Sequence, residues 1–363
     1  MIIWQSEIEI ILNELLARGK KEIILSPLYG NESIFNYNLE NQKLFLKTSS
    51  SKWKSFMKEI IEQNSLSKEA IKELPEFNDI IKAVTSSGLL IPEGIDDLID
   101  EIKKYLVPSK RINRRKRFLI ALDTNQLIDN LMSCYIEKEF SSIENIQARN
   151  FISYVISSWV TYERDCFLRT EKNRGINELD VKFKQIGFNL REKIDKRSRL
   201  GYSIFSELKS LEESYHLLEC KMDSNRRNEV IRDKNLKDQA IIDEYEDYKK
   251  SLKDIKFVYV TSDDQSFGIS KIESIKIKVP MKIPSAIECC FENGAKLIYQ
   301  LTLFLGFLKI NNYKIRFDIY YPGKEHNDWE NRKLKFNCSD KTFEERIKNL
   351  IKLTRKFNSI CNN

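Results

Sequence analysis

Four acidic residues occupy positions at which the sequence pattern predicts burial, and burying a carboxylate there costs stability unless it is paired or bound to a cation. Asp123 and Asp263 each follow an apolar run typical of a buried strand. Glu163 falls among apolar residues at helical spacing, and Asp238 begins a similar stripe. Because a buried charge must be paired or bound to a cation, these positions favour a metal site made of carboxylates. Mg²⁺ and Mn²⁺ prefer such oxygens, and one or two of these ions can assist the hydrolysis of phosphate esters.

Each of these four acids also has a purely structural interpretation. Asp123 suits the N-cap of a following helix, and Asp263 suits a turn. Asn235 and Asp238 have the spacing of a capping box, with Asp in place of the usual Glu. Glu163 would be equally satisfied by a buried ion pair with a distant Lys or Arg. Taken one at a time, the acids therefore leave both interpretations open.

The polar neighbours of the acids divide into expected helpers and expected bystanders. Asn125 is placed to orient a carboxylate or a metal-bound water, and Thr261 and Ser262 are candidate hydrogen-bond donors to the ligands. Asp243 lies about 140° around the helix from Asp238, and Asp264 would point away from Asp263 in an extended chain. We expect Asp243 and Asp264 to lie outside the metal site.

The apolar patterns around the acids predict strands that alternate with helices. Residues 118–122 are apolar without alternation, which is typical of a strand buried on both faces of a parallel sheet. Further strands are predicted at 256–260 and 275–279, and helices at 151–169, 236–250 and 295–308. This order predicts an α/β fold with a mostly parallel sheet.

The two flanks of this region carry strand and helix patterns of their own. Residues 22–25 and 43–47 predict strands, and residues 52–63 and 95–105 predict amphipathic helices, so the first part reads as an α+β domain. The tail predicts two strands at 314–321 and 333–337, followed by a helix at 341–358.

The motifs that hold the acids resemble those of the PIN-domain nuclease family. The matching pieces are Ala121-Leu-Asp-Thr-Asn125, Glu163 on a following helix, Leu236-Lys-Asp-Gln-Ala-Ile-Ile242 and Val260-Thr-Ser-Asp263, within residues 117–310. The resemblance implies a three-layer α/β/α fold and an acidic pocket for Mg²⁺ or Mn²⁺ that hydrolyses phosphodiester bonds, most often in RNA. It implies that the catalytic, metal-binding residues are Asp123, Glu163, Asp238 and Asp263, with Asn125 assisting.

The chain departs from compact members of that family in its length. The long gap between Glu163 and Asp238 predicts a helical insertion at about 170–234. We therefore expect an N-terminal domain at 1–110, a PIN-like nuclease domain at 111–310 and a small α/β extension at 311–363. Two other functions fit the same residues: a non-catalytic PIN-like module that binds RNA or a protein, and a structure-specific DNA nuclease.

The charge of the chain permits a nucleic-acid partner without requiring one. There are 61 Lys and Arg against 54 Asp and Glu, which gives a formal net charge of +7. The basic stretches are a connector at 110–117 and one half of the insertion. They supply the candidate phosphate-binding residues Arg114, Arg115, Lys116, Arg117, Lys193 and Arg197. A solvated linker is the alternative for the connector, and a solvated or dimer-forming helical pair is the alternative for the insertion.

The composition excludes several other classes of protein. With 363 residues and a hydrophobic fraction of 41%, the chain is long and apolar enough to fold around a sizeable core. Seven cysteines without a C-x-x-C pair, together with two histidines, make a zinc site a poor expectation and reduced thiols a better one. No apolar run spans a bilayer and no signal peptide is recognisable, so we expect a cytoplasmic protein without membrane contact.

Overall fold

The computed structural model describes residues 1–30, 32–106, 117–141, 151–168, 174–185, 194–220, 236–253, 255–312, 314–321 and 332–361. The strands in these ranges are β1 Ile2–Trp4, β2 Glu22–Pro27, β3 Phe35–Asn38, β4 Lys43–Leu46, β5 Phe118–Leu122, β6 Ile152–Ile156, β7 His216–Glu219, β8 Lys256–Thr261, β9 Ser274–Lys276, β10 Ala286–Glu288, β11 Phe307–Asn312, β12 Ile315–Tyr320 and β13 Lys333–Cys338.

The α-helices in the same ranges are α1 Ile8–Ala17, α2 Ser50–Asn64, α3 Lys68–Glu73, α4 Phe77–Ser86, α5 Ile95–Leu106, α6 Thr124–Ile128, α7 Glu137–Ser141, α8 Ser158–Leu168, α9 Arg174–Gln185, α10 Lys196–Ser214, α11 Lys237–Lys250, α12 Asp264–Ile269, α13 Phe291–Leu305 and α14 Lys341–Cys361. A 3₁₀ helix spans Gln5–Glu7 and a π-helix spans Met132–Ile136. None of the helices described has the combination of length and apolar character that crossing a bilayer requires.

The chain divides into two compact units, which we name after their sheets. The antiparallel unit comprises Met1–Leu90, Thr170–Leu200 and Met281–Asn363, and the parallel unit comprises Ile91–Arg169 and Gly201–Pro280. The antiparallel unit contains an eight-stranded sheet in the order β1-β13-β12-β11-β2-β3-β4-β10, with every neighbouring pair antiparallel. Its apolar helix α13 is buried along most of its length.

The two ends of the chain build the antiparallel unit together, whereas the sequence pattern separates residues 1–110 from 311–363. Strand β11 pairs with β2 on one side and with β12 on the other, so strands from both ends lie in one sheet. The predicted helix at 295–308 ends earlier, at Leu305, because Gly306 has a positive φ of 83° and β11 begins at Phe307.

The parallel unit contains a five-stranded sheet in the order β7-β6-β5-β8-β9, and every neighbouring pair is parallel. All five residues of the central strand β5 are buried, as its unbroken apolar sequence predicts. The α/β class and the parallel sheet are therefore confirmed. From β5 the chain continues to β6, and from β8 it continues to β9 on the other side of the sheet. In such an arrangement a crevice opens beyond the carboxyl ends of these two strands.

The predicted helix at 151–169 is wrong in its first half. Residues Ile152–Ile156 form the fully buried strand β6, and α8 begins only at Ser158. A short apolar run fits a buried strand as well as a helix, and its position between β5 and β7 decides for the strand. Glu163 remains on a helix, but the apolar residues before Ser158 do not share that helix.

The predicted helical insertion at 170–234 also contains a strand. Helices α9 and α10 lie in it, but β7 pairs with β6 and forms one edge of the parallel sheet. This four-residue strand has only two apolar residues, Leu217 and Leu218, which is too weak a signal to separate it from the charged sequence around it. The helix and strand bounds that we expect elsewhere agree with the structure to within a few residues.

Helix α11 is attached to the carboxyl edge of the parallel sheet through two side chains. The buried Tyr245 hydroxyl donates a hydrogen bond to the Leu122 carbonyl oxygen (2.6 Å) and accepts one from the Ser157 backbone N–H (2.8 Å). Glu244 accepts hydrogen bonds from the hydroxyls of Ser157 and Ser158 and from the Ser158 backbone N–H, at the N-terminus of α8. Because α11 carries Asp238 and α8 carries Glu163, these contacts fix both acids relative to the sheet.

We predict that Tyr245→Phe lowers the free energy of unfolding of the parallel unit by about 1–3 kcal/mol, because it leaves a buried carbonyl and a buried N–H without their partner. Urea unfolding of the full chain measures this effect. Tyr248→Phe on the same helix is the matched control and should change the free energy by less than about 0.5 kcal/mol. Equal effects of the two substitutions would contradict this role of Tyr245.

Candidate functional site

Asp123 and Asp263 lie at the carboxyl ends of the neighbouring strands β5 and β8. The Asp123 side chain is only 7% exposed, at the N-cap of α6. Its Oδ1 accepts a hydrogen bond from the Thr124 backbone N–H (2.7 Å), and its Oδ2 accepts one from the Thr261 hydroxyl (2.9 Å). The capping interpretation of Asp123 is therefore confirmed.

Two threonines connect three of the four acids by hydrogen bonds. The Thr124 hydroxyl donates to Glu163 Oε2 (2.6 Å), while the Thr124 N–H holds Asp123. The Thr261 hydroxyl donates to Asp123 and accepts a hydrogen bond from the Asp263 backbone N–H (3.0 Å). Thr124 thus links the carboxylates of Asp123 and Glu163, and Thr261 links the Asp123 carboxylate to the backbone of Asp263.

Asp263 and its neighbour Asp264 have different surroundings. Asp263 is half-buried and caps α12, because its Oδ1 accepts a hydrogen bond from the Ser266 backbone N–H (2.7 Å). Asp264 is exposed and forms ion pairs with Lys276 and with Lys278 (3.2 Å). Asp264 therefore has cationic partners of its own, in keeping with its expected place outside the acid site.

Asp238 lies in the first turn of α11 and is exposed, so the expectation that its apolar stripe buries this carboxylate is wrong. Helix α11 has Leu236 at its N-cap and no side-chain cap; Asn235, the other half of the expected capping box, lies outside the described residues. The pKa of Asp238 is raised by partial burial and by the carboxylates of Asp263 and Glu163, and Lys237 opposes this rise. The pKa of Asp238 thus depends on the charges of the neighbouring acids and of Lys237.

Glu163 has an ion-pair partner, as its structural interpretation requires. The Lys237 ammonium lies 3.4 Å from Glu163 Oε1, and the two side chains are 28% and 22% exposed. Arg164, the chain neighbour of Glu163, instead pairs with Asp165 at 2.8 Å. Lys237 therefore supplies a positive charge to the Glu163 carboxylate.

The pKa of Asp123 is raised from its ordinary value of 3.8 to about 6. Burial is the main cause, since water no longer solvates the carboxylate, and the negative charges of Glu163 and Asp238 add to it. The hydrogen bonds from Thr261 and Thr124 act in the opposite direction, because they stabilise the charged form. Asp123 is thus ionised at neutral pH at a cost to stability, which a nearby cation would relieve.

The remaining predicted site residues are Asn125, Ser262 and the candidate phosphate-binding residues. Within the described residues, the side chains of Asn125 and Ser262 make no hydrogen bond to the acids. Arg117 and Arg197 are exposed, in the parallel and the antiparallel unit respectively. Arg114, Arg115, Lys116 and Lys193 lie outside the described residues.

Several residues that position the acids were not predicted from the sequence. Thr124 and Lys237 are chain neighbours of Asp123 and Asp238, and this adjacency is the only signal that could have pointed to them. Glu244 and Tyr245 act across elements, and their partners lie more than 80 residues away in the sequence. No local pattern reveals such contacts.

The acids have the donor chemistry of a hard-cation site, but they are not arranged as a closed ligand cage. Across the described ranges, no group of three His, Cys, Asp or Glu side chains is close enough to enclose a metal ion. Each carboxylate oxygen of Asp123 accepts one hydrogen bond and keeps a further lone pair. Carboxylates without His or Cys suit Mg²⁺ or Mn²⁺, which keep several waters when bound.

Comparison with known proteins gives no family for this chain. No protein-family model and no curated protein matches it. A solved domain of a functionally unknown protein from Methanocaldococcus jannaschii DSM 2661 is similar at 14% identity, over 46% of this chain and 95% of that one, with a TM-score of 0.29.

We predict that Asp123→Asn is more stable than the wild type at neutral pH in EDTA, by about 1–3 kcal/mol. In the wild type, Asp123 ionises in the unfolded chain near pH 4 but in the folded protein only near pH 6. Protonated Asp123 therefore contributes its full stabilisation below pH 4, and this stabilisation is lost as the pH rises through 6. Urea unfolding at pH 4 and pH 7 measures the difference, which should grow over this interval. A variant that is strongly destabilised at both pH values would show instead that the two hydrogen bonds to the Asp123 carboxylate hold the fold together.

Proposed function

We propose that this protein is a metal-dependent endonuclease of the PIN type that hydrolyses phosphodiester bonds in RNA. The observation that carries the proposal is the buried Asp123, whose carboxylate accepts hydrogen bonds from Thr124 and Thr261 and whose pKa is raised by burial and by the charges of Glu163 and Asp238. Burying and crowding carboxylates raises their pKa and costs stability. A cation-binding function explains why the sequence bears that cost.

The four acids would hold one or two Mg²⁺ or Mn²⁺ ions. Such an ion lowers the pKa of a bound water and stabilises the charge that develops on the phosphate and on the leaving oxygen. Thr124 and Thr261 orient the carboxylates, since each donates to one acid while its backbone or hydroxyl contacts another. Asp238, with part of its side chain in solvent, is the acid that is free to adjust when an ion enters.

A module that binds RNA without cleaving it is the second candidate function. The Lys237–Glu163 ion pair favours it, because Lys237 neutralises one carboxylate without any metal. The sequence resemblance to PIN-domain nucleases supports the enzyme, since it includes all four acids on the same kinds of elements.

We predict that the purified protein cleaves single-stranded RNA in Mn²⁺ or Mg²⁺ but not in EDTA. Asp123→Asn and Asp238→Asn should lower the cleavage rate by about a hundredfold or more, because each removes a ligand of the ion. Gel analysis of a labelled RNA measures the rate, with single-stranded and branched DNA as parallel substrates.

Asp247→Asn is the matched control, since Asp247 lies on the same helix as Asp238, is exposed and pairs with Lys250. It should leave the rate unchanged. RNA binding without cleavage under every metal condition would favour the binding module, and cleavage of branched DNA alone would identify a structure-specific DNA nuclease.

We further predict that Lys237→Gln tightens Mn²⁺ binding by about fivefold, because it removes an ammonium that competes for Glu163. In EDTA the same variant should be less stable than the wild type, since the acids lose their positive partner. Titration calorimetry measures the first effect and urea unfolding the second. Lys250→Gln on the same helix is the control, and weaker Mn²⁺ binding by Lys237→Gln would contradict the competition.

A further inference from the structure

An exposed aromatic ring lies one helical turn beyond Asp263. Phe267 on α12 is 40% exposed, and its backbone N–H donates a hydrogen bond to the Asp263 carbonyl oxygen (3.1 Å). Ile269, at the end of the same helix, is 39% exposed. A short helix that begins at one of the four acids thus presents apolar side chains to solvent.

Two lysines lie beside this ring at the same edge of the parallel sheet. Lys276, the last residue of β9, is in register with Thr261, whose hydroxyl holds Asp123. The Lys276 ammonium is 5.7 Å from the centre of the Phe267 ring, within the range of a cation–π contact. Lys278 follows two residues later, and both ammonium groups pair with the exposed Asp264.

The backbone that carries the two lysines is held in place from the other side. Glu93 and Lys278 exchange both of their backbone hydrogen bonds, at 2.9 and 3.0 Å. Gly94 has a positive φ of 83°, and a Cβ at this position would lie 2.1 Å from the Lys276 carbonyl oxygen. Only glycine permits this approach, so the lysines stand on a fixed strand rather than on a loose loop.

We propose that Phe267, Lys276 and Lys278 bind an unpaired nucleotide strand beside the four acids, with a base stacked on Phe267 and a phosphate bound to the two lysines. We call these three residues the strand platform. A base within a duplex has its faces covered by its neighbours, so a stacking ring selects single strands. That the bound strand is a substrate rests on the proposed function, but binding of a strand to the platform can be measured without cleavage.

Asp264 occupies the anion position of the strand platform. Its carboxylate pairs with the same two ammonium groups that a phosphate would contact, and its side chain is 72% exposed. A phosphate that binds there must displace Asp264. The acid next to Asp263 therefore competes with the strand instead of binding the metal.

Fluorescence anisotropy of short labelled oligonucleotides in EDTA tests the strand platform. Phe267→Ala should weaken binding of single-stranded RNA and DNA by about fivefold or more. A loss of affinity of about fivefold is the smallest effect expected from the loss of one base–aromatic stack. Phe267→Tyr should bind like the wild type because it keeps a ring. Phe357→Ala is the matched control, since Phe357 is 66% exposed on α14 in the antiparallel unit, and it should leave affinity unchanged.

Charge variants give a second, independent readout. Asp264→Asn should tighten binding of a single strand by about two- to fivefold, the scale of an exposed ion pair. Lys276→Gln and Lys278→Gln should each reduce the slope of log affinity against log salt by about 0.7 if each contacts a phosphate.

The strand platform is overturned if Phe267→Ala and Phe357→Ala have equal effects, if a duplex binds as tightly as a single strand, or if Asp264→Asn weakens binding. RNA cleavage accompanied by any of these results would leave the proposed function standing. Selective single-strand binding with the expected variant effects but without cleavage would instead support the platform and overturn the proposed nuclease.

Discussion

The burial of the Asp123 carboxylate is the constraint on which the candidate site depends. Asp123 is 7% exposed, so its carboxylate loses most of its hydration, and within the described residues two hydrogen bonds, from Thr124 and Thr261, compensate for that loss. The same two threonines also contact the Glu163 carboxylate and the Asp263 backbone N–H. The groups that satisfy Asp123 therefore also link it to Glu163 and to the chain at Asp263.

The parallel sheet makes this arrangement possible. Strands β5 and β8 are neighbours and parallel, so the residues that follow them, Asp123 and Asp263, emerge at the same edge. The Tyr245 and Glu244 contacts then attach α11 to the ends of β5 and β6 and to the start of α8. Of the remaining acids, Glu163 lies on α8 and Asp238 lies on α11. Lys237 balances part of their negative charge through its ion pair with Glu163.

The sequence predicts those parts of this account that have a strong local signal. The buried strand β5 stands out because an unbroken apolar run ends directly at Asp123, and Asp263 follows the apolar residues of β8 after two small polar residues. Strand β6 was mistaken for helix because five apolar or small residues fit either period, and β7 was missed because an edge strand buries little. The pairing of β11 with β2 joins segments about 280 residues apart, and no local pattern encodes such a contact. The contacts of Thr124 and Lys237 with Glu163 also join residues that are distant in the sequence, so no local pattern predicts them.

A crystal grown with Mn²⁺ and examined by anomalous scattering at the manganese edge tests the central claim most directly. We expect a manganese peak at about 2.0–2.4 Å from carboxylate oxygens of Asp123 and at least one of Glu163, Asp238 and Asp263, with the Lys237 ammonium moved away from Glu163. An absence of manganese at these acids at millimolar Mn²⁺, with the Lys237–Glu163 ion pair intact, would contradict it.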